Sequence, residues 1–276
     1  MPPDTGEVMD FLRGAGHFAG PALVFAAHPD DETVGASSLL PRLPEVTIVH
    51  VTDGAPRDRR WWGAPETASR EEYARVRREE LRAALALAGI SPGRLRTLRL
   101  ADQEASLDLA GLARRAAEVL RELRPALVLT HPYEGGHPDH DAAAFAMRSA
   151  LYLLRAEGAA LPALVEFASY HARSEGLATC EFLPAAGGEE VEAVLTETER
   201  TRKEAMLACF ATQRETLARF PTDREQFRAA PAYDFTRPPH AGTLNYERFG
   251  WGCTGAEWRA RAREALEALG TGEAPC

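Results

Sequence analysis

Two short stretches place metal-binding side chains where apolar runs stop. "FAAHPDDETVG" (25–35) ends a greasy segment with His28, Asp30, Asp31 and Glu32. "THPYEGGHPDHDA" (130–142) follows another apolar run and holds His131, His137 and His140, three of the eight histidines. Imidazole and carboxylate are good zinc ligands, and a catalytic zinc commonly keeps three protein ligands and one water. His28 and Asp31, three apart across a strand-to-helix turn, can converge on one ion, which leaves Asp30 free to act as a base. In "HPDH" two imidazoles three apart flank the carboxylate of Asp139. Either motif alone is ambiguous. Acids also complement the positive end of a helix, the role that best fits Glu32, and a lone histidine is more often structural. Two His-Pro-Asp clusters after two separate apolar strands argue instead for one metal site split between them. A divalent ion beside a carboxylate base can activate a water as a nucleophile.

The elements that must position these residues alternate between strand-like and helix-like patterns. "ALVFAA" (22–27), "EVTIVHV" (45–51), "RLRTLRL" (94–100) and "PALVLT" (125–130) read as strands. The first and last are almost wholly apolar, as parallel strands covered on both faces are. "ALVEFAS" (163–169) extends the set. Helical patterns cover 32–40, 69–88 and 107–123, and Ser69 with Glu72 has capping-box spacing. This alternation predicts an α/β fold: a mainly parallel sheet with right-handed crossovers and helices on both faces. Ligands of such sheets bind beyond the carboxyl ends of the strands, where both motifs fall. After about residue 170 the pattern changes. Two short strands, "ATCEFLP" and "EEVEAVL", flank a turn at 185–188, and a helix follows over 196–211. An irregular stretch over 220–252, rich in proline, glycine and aromatics, precedes a last helix over 256–269. The whole reads as one domain, 1–276, with a core of about 20–170 and a C-terminal strand and helix elaboration over 171–276.

Bulk composition narrows the function class. The 45% hydrophobic and 26% charged content is ordinary for a soluble globular protein. A net charge of −9 leaves no basic footprint for nucleic acid. No window approaches the roughly 18–20 apolar residues of a membrane span. The first 20 residues lack the basic end and apolar stretch of a signal peptide. Cys180, Cys209, Cys253 and Cys276 are scattered without a CxxC pair, which suits a reducing cytoplasm and offers no thiolate metal site. No GxGxxG or GxxxxGK[ST] loop supports a nucleotide cofactor. The expectation is a cytoplasmic protein with a small-molecule partner, no nucleic acid and no membrane, and the sequence is compatible with a homo-oligomer.

"AAHPDDE" together with "HPDH" resembles the PIG-L/LmbE family of zinc-dependent N-deacetylases. "VTDG" (51–54), "RREELRAALALAGI" (77–90) and Asp102 match further pieces, and "RKEAMLACFATQ" (202–213) resembles the family's late helix. The resemblance implies a Rossmann-like fold and one Zn²⁺ per chain held by His28, Asp31 and His140. Another divalent ion would suit the same ligands. It also implies Asp30 as general base, His137 as the group that stabilises the oxyanion or protonates the amine, and Asp139 as the orienting partner of His137. Arg77 and Asp102 would hold sugar hydroxyls. The implied activity is a zinc-dependent amidohydrolase that removes the acetyl group of an N-acetylglucosamine-type sugar or conjugate. Two alternatives are an amidase for a larger acyl or thiol-conjugate amide, and a metal-retaining protein without catalysis. The presence of both Asp30 and His137 weighs against the second. His131 is expected to be structural. Trp61 and Trp62 fit sugar stacking and loop packing equally well, and Asp53 is expected to be a turn residue. His17, His50, His171 and His240 are expected to have no part in the chemistry, and the basic strand "RLRTLR" reads as a solvated face.

Overall fold

The structure is a computed structural model that describes residues 5–14, 16–63, 67–184 and 189–271. The turn expected at 185–188 and Cys276 lie outside these residues. Five strands are parallel: β1 (Pro21–Ala26), β2 (Glu45–Pro56), β3 (Leu95–Asp102), β4 (Leu127–Thr130) and β5 (Ala163–Phe167). β6 (Tyr170–Ala172) and β7 (Leu177–Thr179) form a separate antiparallel pair. β8 (Glu190–Val194) and β9 (Arg224–Ala229) join the main sheet, which runs β3-β2-β1-β4-β5-β9-β8. From β1 the chain winds outward through β2 and β3, then returns to build β4 on the other side of β1. The order reverses between β1 and β4, and a crevice opens there beyond their carboxyl ends. Phe25 of β1 lies level with Thr130 of β4. The two His-Pro-Asp motifs, more than a hundred residues apart in sequence, therefore leave the sheet side by side.

Side chains of β1 alternate between two apolar layers, as pleating requires. Ala22, Val24 and Ala26 face one layer, with α1 (Thr5–Leu12), α2 (Asp31–Ala36), α3 (Arg70–Leu87) and α6 (Glu197–Ala208). Leu23 and Phe25 face the other, with α4 (Leu109–Leu123), α5 (Pro138–Ala156) and α9 (Gly255–Ala268). The helices do cover both faces. Ser69 accepts from the Glu72 N–H as the capping signal predicts, while the Glu72 carboxylate reaches Ala68 N rather than Ser69 N. α7 (Arg214–Leu217) and α8 (Asn245–Phe249) are short pieces in the C-terminal half.

Several expectations are corrected. The helix expected over 32–40 stops at Ala36, and a 3₁₀ turn follows at Leu40–Arg42. α5 was not expected: its alanine-rich inner positions are buried almost all round, so the polar face that signals an amphipathic helix is short. β9 lies inside the stretch read as irregular. It carries buried Glu225 and Arg228 toward the core, which hides a strand from a hydrophobic pattern. The two late strands do not pair with each other, since β7 pairs with β6 and β8 with β9.

Those buried charges tie the late strands and helices to the helix that starts at Asp31. Lys203 Nζ of α6 donates to Val34 O (2.8 Å) and to Glu225 Oε1 (3.0 Å). Glu225 also accepts from the Ser37 and Ser38 hydroxyls just after α2 (2.6 and 2.5 Å). Lys203 and Glu225 are fully buried. Removing one partner of such a pair strands the other charge, at about 3–5 kcal/mol. Lys203→Met is expected to lose about that much in urea unfolding. A change within error of wild type would show that the pair does not anchor the C-terminal half.

Candidate metal centre

β1 ends at Ala26, and Pro29 restricts the turn that follows. Asp31 Oδ2 accepts the His28 backbone N–H (2.7 Å) and closes the turn. α5 begins at Pro138, so His137 sits at its N-cap and His140 in its first turn. Three donor atoms converge. His28 Nδ1 lies 3.2 Å from His140 Nε2 and 3.4 Å from Asp31 Oδ2, and His140 Nε2 lies 3.2 Å from Asp31 Oδ1. A tetrahedral zinc with bonds of about 2.0–2.1 Å needs neighbouring donors about 3.3–3.4 Å apart. The observed spacing fits.

Protonation fits as well. His28 Nε2 lies 3.2 Å from Asp139 Oδ2 and 3.1 Å from Asp102 Oδ1. Against its burial, these carboxylates raise the proton affinity of His28 and hold a proton on Nε2, so that Nδ1 is the nitrogen turned to the other two donors. His140 Nδ1 lies 3.4 Å from Ser169 Oγ, and Nε2 is the nitrogen turned to His28 and Asp31. Two buried ring nitrogens and a carboxylate this close need a cation, proton or metal ion, between them. Among the described residues a second group, His28, Asp102, His137 and Asp139, could also surround an ion. It is the poorer set, because Asp139 and one nitrogen of His137 are already engaged.

The contact expected between Asp139 and His137 is not the one formed. Asp139 Oδ2 is 3.9 Å from His137 Nδ1, beyond hydrogen-bond range. That nitrogen instead accepts the backbone N–H of Asp139 (3.2 Å). The Asp139 carboxylate is held by Gln103 N–H (2.6 Å) and Ala105 N–H (3.0 Å) and turns to His28. It orients a metal-site imidazole. Outer partners of this kind are typically worth about 10–100-fold in metal affinity. Asp139→Asn is therefore expected to weaken metal binding by about that factor in a chelator competition. Unchanged affinity would return Asp139 to a role at His137.

Asp30 leaves the triad in another direction. Its Oδ2 lies 3.1 Å from Arg77 Nη2, and both side chains are nearly buried. Burial pushes the Asp30 carboxyl above its ordinary value, against the pull of Arg77. Gly54, at φ +67°, makes room for this arrangement, since a Cβ there would lie 2.8 Å from both Arg77 Nε and Pro29 Cδ. Arg77 Nε and Nη1 have no hydrogen-bond partner. Asp102 Oδ1 lies 3.1 Å from His28 Nε2 and 3.7 Å from His137 Nε2. Burial and then His28 hold His137 well below the usual imidazole range. All eight expected site residues except Asp139 line one cavity of about 240 Å³.

The remaining expectations divide. His131 is fully buried and structural, yet it touches the site: Nε2 lies 3.1 Å from Asp31 Oδ2, and the ring stacks on His140 at 4.0 Å. Burial and the neighbouring His140 lower its pKa to about 4, so it stays neutral. Glu32 is not a solvated helix-turn acid. It is buried and accepts from His50 Nε2 (2.8 Å), which joins α2 to β2. Asp53 pairs with Arg70 (2.7 Å) outside the cavity lining. Trp62 stacks on Tyr73 and packs its loop, whereas Trp61 faces the cavity. Trp251, Phe249, Tyr170 and Gln103 also line it without having been singled out. Only the flagged 220–252 stretch gave a signal for the first two.

Fold and site together define a Rossmann-like α/β protein with a candidate metal centre at the topological switch point. Residues 23–151 match the PIG-L family model, described as GlcNAc-PI de-N-acetylase. Over 143 residues the chain is 32% identical to the probable N-acetyl-alpha-D-glucosaminyl L-malate deacetylase 2 of Bacillus subtilis. That alignment covers 49% of this chain and 62% of the relative, so under two thirds of the relative's length is spanned. The fold is similar to that of N,N'-diacetylchitobiose deacetylase from Pyrococcus horikoshii, with TM-score 0.55 and 18% identity over 83% of this chain and 94% of that one. It is also similar to that of the 4-carboxy-2-hydroxymuconate hydratase GalB from Pseudomonas putida, with TM-score 0.54 and 20% identity over 78% and 98%. One fold therefore carries more than one named reaction, and the site must decide. Among the described residues no helix is long and apolar enough to cross a membrane.

Proposed function

We propose that the chain is a divalent-metal-dependent N-deacetylase, with zinc as the ion, acting on an N-acetylglucosamine-type sugar or conjugate. The observation that carries this reading is the convergence of His28, Asp31 and His140 in a cavity that also receives Asp30 and His137. The PIG-L match and the name of the Bacillus relative support the substrate class. A bound divalent ion lowers the pKa of water towards about 7 and polarises a carbonyl oxygen.

The protein's own groups do the rest. Asp30, with a raised proton affinity, takes the proton of the attacking water and returns it to the amine as the C–N bond breaks. His137 is neutral, and its Nδ1 is occupied by the Asp139 N–H, so its proton lies on Nε2. That N–H donates to the oxygen on which negative charge develops. The two unpartnered nitrogens of Arg77 and the acceptor Oδ1 of Asp102 suit vicinal hydroxyls. The test follows acetate and free amine release from a panel of N-acetylated sugars and thiol conjugates, with and without chelator. Release from hexosamine substrates that stops with chelator is expected. Release from none of them, or release indifferent to chelation, defeats the proposal.

A further inference from the structure

Beyond the reaction end, the cavity wall changes character. Two aromatic rows begin at the site histidines. Trp251 lies against His137 with ring centroids 4.5 Å apart, Phe249 stacks on Trp251 at 5.0 Å, and Trp61 meets Trp251 edge-on at 6.2 Å. On the other side Tyr170 lies 5.2 Å from His140, and Phe220 lies 5.9 Å from Tyr170. All five rings line the cavity, and outside the reaction end Arg219 is the only charged lining group among the described residues. Phe249 remains 41% exposed although it packs on Trp251. An aromatic ring left half in water and continuous with the half-buried Trp251 and Trp61 marks a surface built to be covered.

We infer that this aromatic compartment binds a planar apolar aglycone attached to the N-acetylhexosamine, and so selects the substrate. The inference rests on the deacetylase reading. Arg77 and Asp102 supply polar partners for one sugar ring, and those groups sit at the reaction end. Among the described residues, a second sugar in the aromatic part would find only Gln213, Thr216, Asn245 and Arg219 for its hydroxyls, against five rings and the apolar Leu177 and Leu217. A flat apolar group would cover Phe249 and the rim of Trp61 and displace weakly held water. Trp61 comes from the loop after β2, whereas Phe249 and Trp251 come from the C-terminal segment, so the compartment exists only where the two halves of the chain meet.

The experiment compares kcat/KM for phenyl, methyl and N-acetylglucosaminyl glycosides of N-acetylglucosamine in the metal-loaded wild type and in a Trp61→Ala, Phe249→Ala double variant. Aromatic contacts of this kind predict about a tenfold preference for the phenyl glycoside in the wild type. The double variant should lose that preference, its phenyl-to-methyl ratio of kcat/KM falling to about one. Equal use of phenyl and methyl glycosides, preference for the disaccharide, or a phenyl preference that survives in the double variant overturns the inference. If no glycoside is hydrolysed, the deacetylase reading fails and calorimetry decides the compartment by itself. Phenyl glucosaminide should then bind more tightly than methyl glucosaminide in the wild type but not in the double variant, and equal binding overturns it.

Discussion

A His28→Ala, Asp31→Ala double variant is expected to purify without metal and to hydrolyse no substrate above background. Wild type should carry about one ion per chain. The expectation follows from the donor set: two of three convergent atoms are removed, and a lone imidazole at His140 cannot hold a divalent ion against solvent. Wild type stripped of metal keeps two buried ring nitrogens at 3.2 Å and a facing carboxylate, a donor set a divalent ion can occupy. Adding zinc should therefore raise its melting temperature as well as its activity. Ligand at about 100 times Kd stabilises the folded state by about 2.7 kcal/mol, a shift easily seen in thermal unfolding. The double variant should show no shift. Loss of Asp31 also leaves the His28 backbone N–H without its 2.7 Å acceptor, so circular dichroism must confirm a folded protein. Metal retained at wild-type levels in a folded variant would remove His28, Asp31 and His140 as the binding set.

The parts of this site that were legible in the sequence are those fixed by local spacing. His28 and Asp31 meet because a turn of three residues brings them together, and His140 joins them because two apolar strands announce a sheet whose switch point lies between them. The orientation of Asp139 was not legible. It depends on two backbone N–H groups, Gln103 and Ala105, that arrive from the end of β3, and no spacing within "HPDH" encodes them. Glu32 was read only in part for a related reason: it does stand in the first turn of α2, but its buried hydrogen-bond partner His50 lies on the next strand. β9 and α5 escaped for opposite causes. In β9 buried Arg228 pairs with Glu166 (2.9 Å) and Glu134 (3.1 Å), so polar residues occupy core positions. In α5 the burial of nearly every inner position erased the period that identifies a surface helix. The aromatic compartment needs both halves of the chain at once, and its composition alone could not show which tryptophan faces inward.

Asp30→Asn should keep its metal and lose about 10²–10⁴-fold in kcat, the usual contribution of a positioned acid or base. The substitution preserves shape, and the amide oxygen can still accept from Arg77 Nη2 at the 3.1 Å now seen. What it removes is the site that takes a proton. Because that site acts in the chemical step, kcat and kcat/KM should fall together while KM changes little. A variant that instead raised KM with kcat intact would mean that Asp30 only positions Arg77 for substrate. The neighbouring residue provides the contrast. Asp31→Asn, one position along the same turn, should lower metal content, because Asp31 faces His28, His131 and His140 whereas Asp30 faces Arg77. Two adjacent carboxylates would then separate cleanly, one by metal analysis and the other by turnover at full metal occupancy. Near-normal kcat in Asp30→Asn would exclude it as the base, and the cavity's other carboxylate and imidazole outside the triad are Asp102 and His137. The Nδ1 of His137 is already occupied by the Asp139 N–H, which leaves it a donor rather than an acceptor. Against its burial, Asp102 is held below the ordinary carboxylate range by His28, whereas Asp30 is raised, so the proton is expected at Asp30.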